Sequence, residues 1–316
     1  MTYVNTTTKT GSFSTEDMIE KVALLAKNMT GSKLKFNADG TASVTLTING
    51  QPMKAIFSGY ENIDNRDAEF SEIQFRNAGD DLVFSLSTSD LSLEDIASAT
   101  DSAKVIDLLF SEDDTIYGDK SNDNIVGYEG DDYLAGYAGN DFIDGWYDND
   151  VIYGGSGKDT LYGGAGNDEV YGDSGNDFVS GGVGNDWVNG GTGKDIVQGN
   201  RGADTLFGGS GADMFVFKNA SDSTVKASGR DTIMDFNPDS GDRIDLSLID
   251  ANRKADGNQA FKFIGESAFH KKAGELRFTQ TDDKTFVYAD TNGDGKADFS
   301  VEFNAVIDLA KGDFLL

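Results

Sequence analysis

Aspartate returns at every ninth position through the middle of this chain: Asp114, Asp123, Asp132, Asp141, Asp150, Asp159, Asp168, Asp177, Asp186, Asp195, Asp204 and Asp213. Glycine opens each nine-residue unit, from Gly118 and Gly127 through Gly199 and Gly208. More glycines fill the stretch before the acid, at Gly155, Gly157, Gly164, Gly166, Gly175, Gly182, Gly184, Gly191, Gly193, Gly202, Gly209 and Gly211. Carboxylates and main-chain carbonyls are hard oxygen donors, the kind that calcium prefers. Glycine lets the backbone aim its carbonyls at an ion. Left to themselves, stacked carboxylates at about 5 Å repel by roughly 1 kcal/mol in water, and by more at a lower dielectric. A cation between the turns reverses that sign, so the candidate chemistry is the binding of several Ca2+ ions by these aspartates and glycines.

The elements that position the acids follow from a third column. The eighth residue of each unit is large and apolar: Ile116, Ile125, Leu134, Ile143, Ile152, Leu161, Val170, Val179, Val188, Val197, Leu206 and Phe215. Three columns sustained in this way define a repeat architecture. Six residues, such as Gly163 to Asp168, form a turn, and three, such as Glu169 to Tyr171, form a short strand. Side chains alternate faces along a strand, so the middle residue points inward. Two units make one coil, and units two apart stack at about 4.8 Å. The fold class expected is mainly β. A calcium-bound parallel β-roll over residues 111–217 is flanked by a small α+β N-terminal domain (1–110) and a β-rich C-terminal cap (218–316).

The pattern resembles that of the repeats-in-toxin (RTX) family, the hemolysin-type calcium-binding repeat with consensus G-G-x-G-x-D-x-U-x. Early units depart from it. Ser121 and Asp148 replace glycine at position 4, and Tyr128, Tyr137 and Trp146 replace it at position 2. The motif is best kept from Gly154 to Asp213. Tyr128 and Trp146 are eighteen residues apart, which stacks them on one edge of the roll, with Tyr133, Tyr137, Phe142 and Tyr147 nearby. Two readings are open: a strip that binds sugar or a partner, or packing against the preceding domain.

After Phe217 the repeat stops. "GRDTIMDFNPDSGDRIDLSLIDAN", "FKFIGESAFHKKAGELRF", "TFVYADTNGDGKADFSVEF" and the final "DFLL" resemble the C-terminal region of the serralysin metalloproteases, which caps their roll. The resemblance implies that Asp231 or Asp235 completes the last calcium site. It also implies that Asp313 to Leu316 acts as a C-terminal signal for the type I secretion machinery. A bacterial protein secreted to the extracellular space by that route, folding as it meets calcium, is the resulting expectation. The opening residues lack the basic and apolar regions of a signal peptide, as that route implies. A weaker metal candidate is the loop Asp290, Asn292, Asp294, Gly295 and Asp298, which fits five positions of an EF-hand loop but has Val301 where the bidentate glutamate belongs. The same segment also reads as the turn of a β-hairpin.

Residues 1–110 carry no sharp motif. Ser14 caps a helix with Met18, Ile19, Val22 and Leu25 on its apolar face, and a second helical stretch runs from 93 to 109. Val44, Leu46 and Ile48 alternate with polar residues up to Asn49-Gly50, a hairpin turn, and the strands of an antiparallel meander follow.

The chain has 55 acidic and 26 basic residues, a formal charge of −29, and no cysteine. Such a surface repels nucleic acid and anionic membranes, and no stretch reaches the roughly 18 apolar residues of a membrane helix. With a single histidine, His270, the three-histidine zinc site of the serralysin proteases cannot form, and a Ser-His-Asp elbow is absent. No catalytic residue is assigned. The leading function is a non-enzymatic calcium-binding factor that contacts a cell surface, matrix polysaccharide or host. The alternative is a small extracellular enzyme with its site in residues 1–110. A membrane-active toxin ranks last, because apolar and basic amphipathic segments are missing.

Overall fold

The computed structural model describes residues 111–118 and 120–316, together with the backbone of five earlier strands. The chain forms two compact units, Met1–Val151 and Ile152–Leu316.

In the first unit the expected meander is present. Strand Ala42–Ile48 pairs antiparallel with Gln51–Ser58, and the register Ile48↔Gln51 leaves a two-residue connection where Asn49-Gly50 stands. Glu69–Arg76 and Leu82–Ser92 add on in turn, with two register shifts in the last pairing. The helices expected near Ser14 and over 93–109 lie outside the described residues. Pairing then changes from antiparallel to parallel. Thr115–Tyr117 runs parallel to Tyr133–Ala135, and Asn124–Tyr128 runs parallel to Phe142–Tyr147, each pair eighteen residues out of step.

The second unit repeats that arrangement with a longer run. One ladder contains Glu169–Gly175, Trp187–Gly193, Thr205–Gly211 and Thr232–Ile233. The other contains Thr160–Ala165, Phe178–Val183, Ile196–Arg201, Met214–Val216 and Arg243–Asp245. Both are parallel, and consecutive units alternate between the two, as a roll requires. The middle residue of each strand triad points inward. Ile152, Leu161, Val170, Val179, Val188, Val197, Leu206 and Phe215 are fully buried. Each such side chain contributes roughly 1.5–3 kcal/mol, but a single file of them is a thin core for so many turns.

Past Phe217 the chain keeps feeding the same two ladders. Thr232–Ile233 extends the first and pairs parallel with Phe299–Phe303, which opens an antiparallel meander with Thr285–Asp290 and Glu275–Gln280. Arg243–Asp245 extends the second, and Phe314–Leu315, from the terminal "DFLL", closes it. The core changes character here from Val and Leu to Phe. Phe215 lies 5.9 Å from Phe236, Phe236 lies 5.3 Å from Phe303, and Phe217 lies 5.3 Å from Phe299. This aromatic plug covers the open end of the apolar file. Among the described residues the only helical elements are two short 3-10 turns, Ala227–Gly229 and Lys311–Asp313, and none is long and apolar enough to cross a membrane.

Candidate metal centre

The coils fix each aspartate of the column in the same way. The Asp159 N–H donates to Asp177 Oδ1 at 2.8 Å, Asp168 to Asp186 at 3.0 Å, Asp177 to Asp195 at 2.8 Å, Asp186 to Asp204 at 2.9 Å, and Asp195 to Asp213 at 2.9 Å. The first unit does likewise with Asp114 to Asp132, Asp123 to Asp141 and Asp132 to Asp150. One oxygen of each of these carboxylates is therefore committed to holding the side chain in register. All twelve aspartates of the column are buried, none more than 3% exposed.

The second oxygen is where chemistry remains. Oδ2 of Asp132, Asp177, Asp186, Asp195, Asp204 and Asp213 is buried and accepts no hydrogen bond. It turns toward the glycine that opens its own unit. A Cβ on Gly190 would stand 2.8 Å from Asp195 Oδ2 and 2.8 Å from the Gly208 carbonyl oxygen. A Cβ on Gly154 would stand 2.7 Å from Asp159 Oδ2 and 3.0 Å from the Gly172 carbonyl oxygen. The space that glycine leaves open is thus lined by carboxylate and carbonyl oxygen. The turn glycines are required for a second reason. Gly155, Gly164, Gly182, Gly191 and Gly209 are in the left-handed region at position 2, and Gly157, Gly184, Gly193, Gly202 and Gly211 have positive φ at position 4. A Cβ on Gly175, Gly184, Gly193, Gly202 or Gly211 would overlap the carbonyl oxygen of the glycine eighteen residues earlier, Gly166 lying below Gly184.

Burial without a counter-charge raises the acids. Desolvation lifts Asp132 and Asp177 from 3.8 to about 7, Asp186 to about 8, Asp204 to about 7 and Asp213 to about 6. It also raises Asp195. Carboxylates of neighbouring coils add to the effect at Asp177, Asp186 and Asp213, and the N–H donated by the preceding coil opposes it. Leaving so many buried acceptors unmet is costly. A cation on Oδ2 would satisfy the acceptor and supply the counter-charge. Among the described residues no three His, Asp or Glu side chains converge on one point. Any ion here would draw on one or two carboxylates plus main-chain carbonyls, a flexible all-oxygen set that suits calcium.

The cap continues the column. Asp204 N–H donates to Asp231 Oδ1 at 3.1 Å, and Asp231 is fully buried with its carboxyl well above the ordinary range, chiefly from desolvation. Its Oδ2 is a further buried acceptor that receives no hydrogen bond. Asp235 is used differently, with its two oxygens accepting the N–H groups of Gly208 and Gly209 at 2.9 and 2.8 Å. Asp242, which sequence reasoning missed, takes the Asp213 N–H at 3.0 Å. Its signal was present, since Asp242-Arg243-Ile244-Asp245 repeats the acid-x-apolar-x pattern, but twenty-nine residues beyond Asp213 rather than eighteen. A second column also escaped notice. Asn122, Asp131, Asn167, Asn176 and Asn185, at position 5, accept the N–H of the residue eighteen later at 2.8–2.9 Å. Position 2 also departs from glycine later than expected, at Asp173 and Asn200, both left-handed.

The loop at 290–298 is a hairpin connection between Thr285–Asp290 and Phe299–Phe303, and its acids are engaged by the loop itself. Asp290 is fully buried and accepts the N–H groups of Asn292, Gly293 and Gly295. Asp298 holds Thr291 and the Asn292 amide, Asn292 holds the Asp294 N–H, and Asp294 holds the Lys296 N–H. His270 has a half-exposed ring whose Nδ1 lies 2.9 Å from the buried Glu275 carboxylate.

The early aromatics are stacked as their spacing implies. Tyr128 and Trp146 are register partners with ring centroids 5.1 Å apart, and Trp146 lies 5.6 Å from Tyr147.

The family model for the peptidase M10 serralysin C-terminal region matches residues 57–316. No curated protein matches the chain. Two solution structures of repeat subunits from the Azotobacter vinelandii mannuronan C5-epimerase are similar. AlgE6R3 is 25% identical, with 54% of this chain and 80% of that one covered and a TM-score of 0.31. AlgE6R2 is 22% identical, with 64% and 91% covered and a TM-score of 0.26. The crystal structure of the extracellular lipase LipA from Serratia marcescens is 16% identical, with 65% of this chain and 38% of that one covered and a TM-score of 0.22.

Proposed function

This chain belongs to the peptidase M10 serralysin C-terminal family, and from that we propose that it is a secreted calcium-binding protein whose roll is completed by the metal. One observation carries the reading: a file of buried aspartate oxygens, each held in place by its partner oxygen's hydrogen bond, faces main-chain carbonyls and accepts nothing. The aspartates of the column, from Asp114 to Asp213 and on to Asp231, are the ligands, and the turn glycines supply carbonyls. Calcium provides the positive charge that lets these acids be ionised and buried together. Asp235 and Asp242 stabilise the cap end, and residues 290–298 serve as a self-held turn.

In this reading residues 111–217 are the calcium-dependent element, 218–316 the cap, and 1–110 a separate domain. The chain leaves a bacterial cell unfolded through the type I machinery and folds outside, where calcium reaches the 10⁻⁴–10⁻³ M range that extracellular modules use. Its role there is non-enzymatic contact with a surface or matrix polysaccharide.

The test is circular dichroism of the full chain during calcium titration and chelation. A gain of β-signal at about millimolar calcium, reversed by chelator, is expected. A spectrum indifferent to chelation would remove the metal from the account.

A further inference from the structure

One turn edge of the roll in the first unit differs from every other described turn. Its two stacked turns read Gly127-Tyr-Glu-Gly-Asp131 and Gly145-Trp-Tyr-Asp-Asn149. Three consecutive residues of the upper turn, Trp146, Tyr147 and Asp148, are exposed, at 48% and 52% for the two rings. Eighteen residues below lie Tyr128, Glu129 and Gly130, and the Gly130 N–H donates to Asp148 Oδ2 at 3.2 Å, which stacks the turns directly. Glu129 and Asp131 are also exposed. Neither turn contains a lysine or arginine.

This edge gathers three non-glycine residues in the left-handed region, which Tyr137, Asp173 and Asn200 enter singly elsewhere in the roll. Tyr128, Trp146 and Asp148 have φ of 81°, 82° and 67°. In the second unit the same positions are mostly glycine, which takes this conformation freely. Aromatic side chains in the left-handed region are costly and persist where something else requires them. Tyr128 is buried beneath them, but the core does not require the upper two rings, since Trp146 and Tyr147 stand in solvent.

We propose that this edge binds an amino-sugar polymer bearing free ammonium groups. The chemistry is complementary on both counts. Exposed indole and phenol rings stack on the apolar faces of pyranose rings and attract cations through their π-faces. Three carboxylates, Glu129, Asp131 and Asp148, flank the rings with no basic residue among them, and they pair with ammonium. A polyanionic polysaccharide meets only like charge here, and a neutral glucan leaves the carboxylates unused. Several carboxylates along one edge favour a ligand that repeats its cation, hence a polymer over a single sugar. The proposal deepens the surface-contact role above and rests on that reading, but its test is separable from the calcium test.

The experiment uses the full calcium-loaded chain and three probes: partially deacetylated poly-glucosamine, alginate and dextran. Saturable binding to the first, weakened by salt and absent for the other two, is expected. The informative variant is Trp146→Gly, which removes the ring and relieves the left-handed strain together. It should melt no lower than the parent, keep the calcium-dependent β-signal, and bind the amino-sugar polymer about tenfold more weakly, within the range of a cation–π contact. Glu129→Gln with Asp148→Asn should reduce the salt dependence, Asp131 remaining. Equal binding to dextran, or undiminished binding by Trp146→Gly, would overturn the proposal. So would the absence of poly-glucosamine binding in a parent that still shows its calcium transition, whereas loss of the calcium transition itself would count against the proposed function.

Discussion

Replacing Asp177 by asparagine should change stability in opposite directions with and without calcium. Asn keeps the acceptor that Asp177 Oδ1 offers to the Asp159 N–H at 2.8 Å, and it keeps the volume beside Gly172. It removes the charge. Burial holds the Asp177 carboxyl at about 7 in place of 3.8, which at 1.36 kcal/mol per pH unit sets about 4 kcal/mol against the ionised form. Water entering the metal-free turns and relaxation of Asp159 and Asp195 reduce this, so about 2 kcal/mol is a working figure at pH 7.5. The metal-free roll of Asp177→Asn should therefore be more stable than the parent by that order. In saturating calcium the sign reverses, because a charged ligand has gone and the ion binds more weakly. Urea denaturation at pH 7.5, in chelator and in 5–10 mM calcium (concentrations on the order of tenfold above the extracellular range), measures both. If the variant is destabilised in both conditions, the column is an ordinary buried hydrogen-bond network and the reasoning from unmet charge is refuted.

Other outcomes follow from the same geometry. Gly193→Ala puts a Cβ onto the Gly175 carbonyl oxygen at a φ of 141°, so it should cost more than about 3 kcal/mol, read as loss of the calcium-dependent β-signal. Asp242→Asn should leave most of the roll intact and lower the calcium response of the turns nearest the cap, seen as faster hydrogen exchange confined to residues around Asp213. The raised acids fix the pH dependence. A carboxyl whose folded value lies above its unfolded value contributes stability below about pH 4 and loses it as pH rises through about 6–8. The metal-free roll should thus weaken between pH 4 and 8, while the calcium midpoint falls over pH 6–8 because binding requires the ionised form; a midpoint independent of pH would contradict the assignment.

Much of the roll could be read in advance because its three columns act locally. Position 8 needs only a strand's alternation to point inward, and Ile152 through Phe215 do so without exception. The eighteen-residue stacking followed from two units per coil, and Tyr128 over Trp146 bears it out. What could not be read depended on partners far along the chain. Asp242 joins the column only because extra residues enter before Asp231 and again before Asp242, which stand 27 and 29 residues after their partners Asp204 and Asp213, and no spacing rule predicts the length of those insertions. The division of labour between Asp231 and Asp235 was equally closed to sequence, since it turns on which N–H each carboxylate meets. The position-5 ladder was legible in principle. Asparagine there looks like a turn residue until the coil above supplies the N–H that it caps. The loop at 290–298 satisfied a metal-loop spacing, yet Asx-type turns demand the same residues at the same offsets.

The most direct test is hydrogen exchange of the full chain followed by mass spectrometry, with calcium and with chelator. The account predicts that peptides spanning residues 152–216 are strongly protected in calcium and lose most of that protection in chelator, with protection returning when calcium is restored. Equal protection in both conditions would show that the roll stands without metal and that its buried aspartates need no ion.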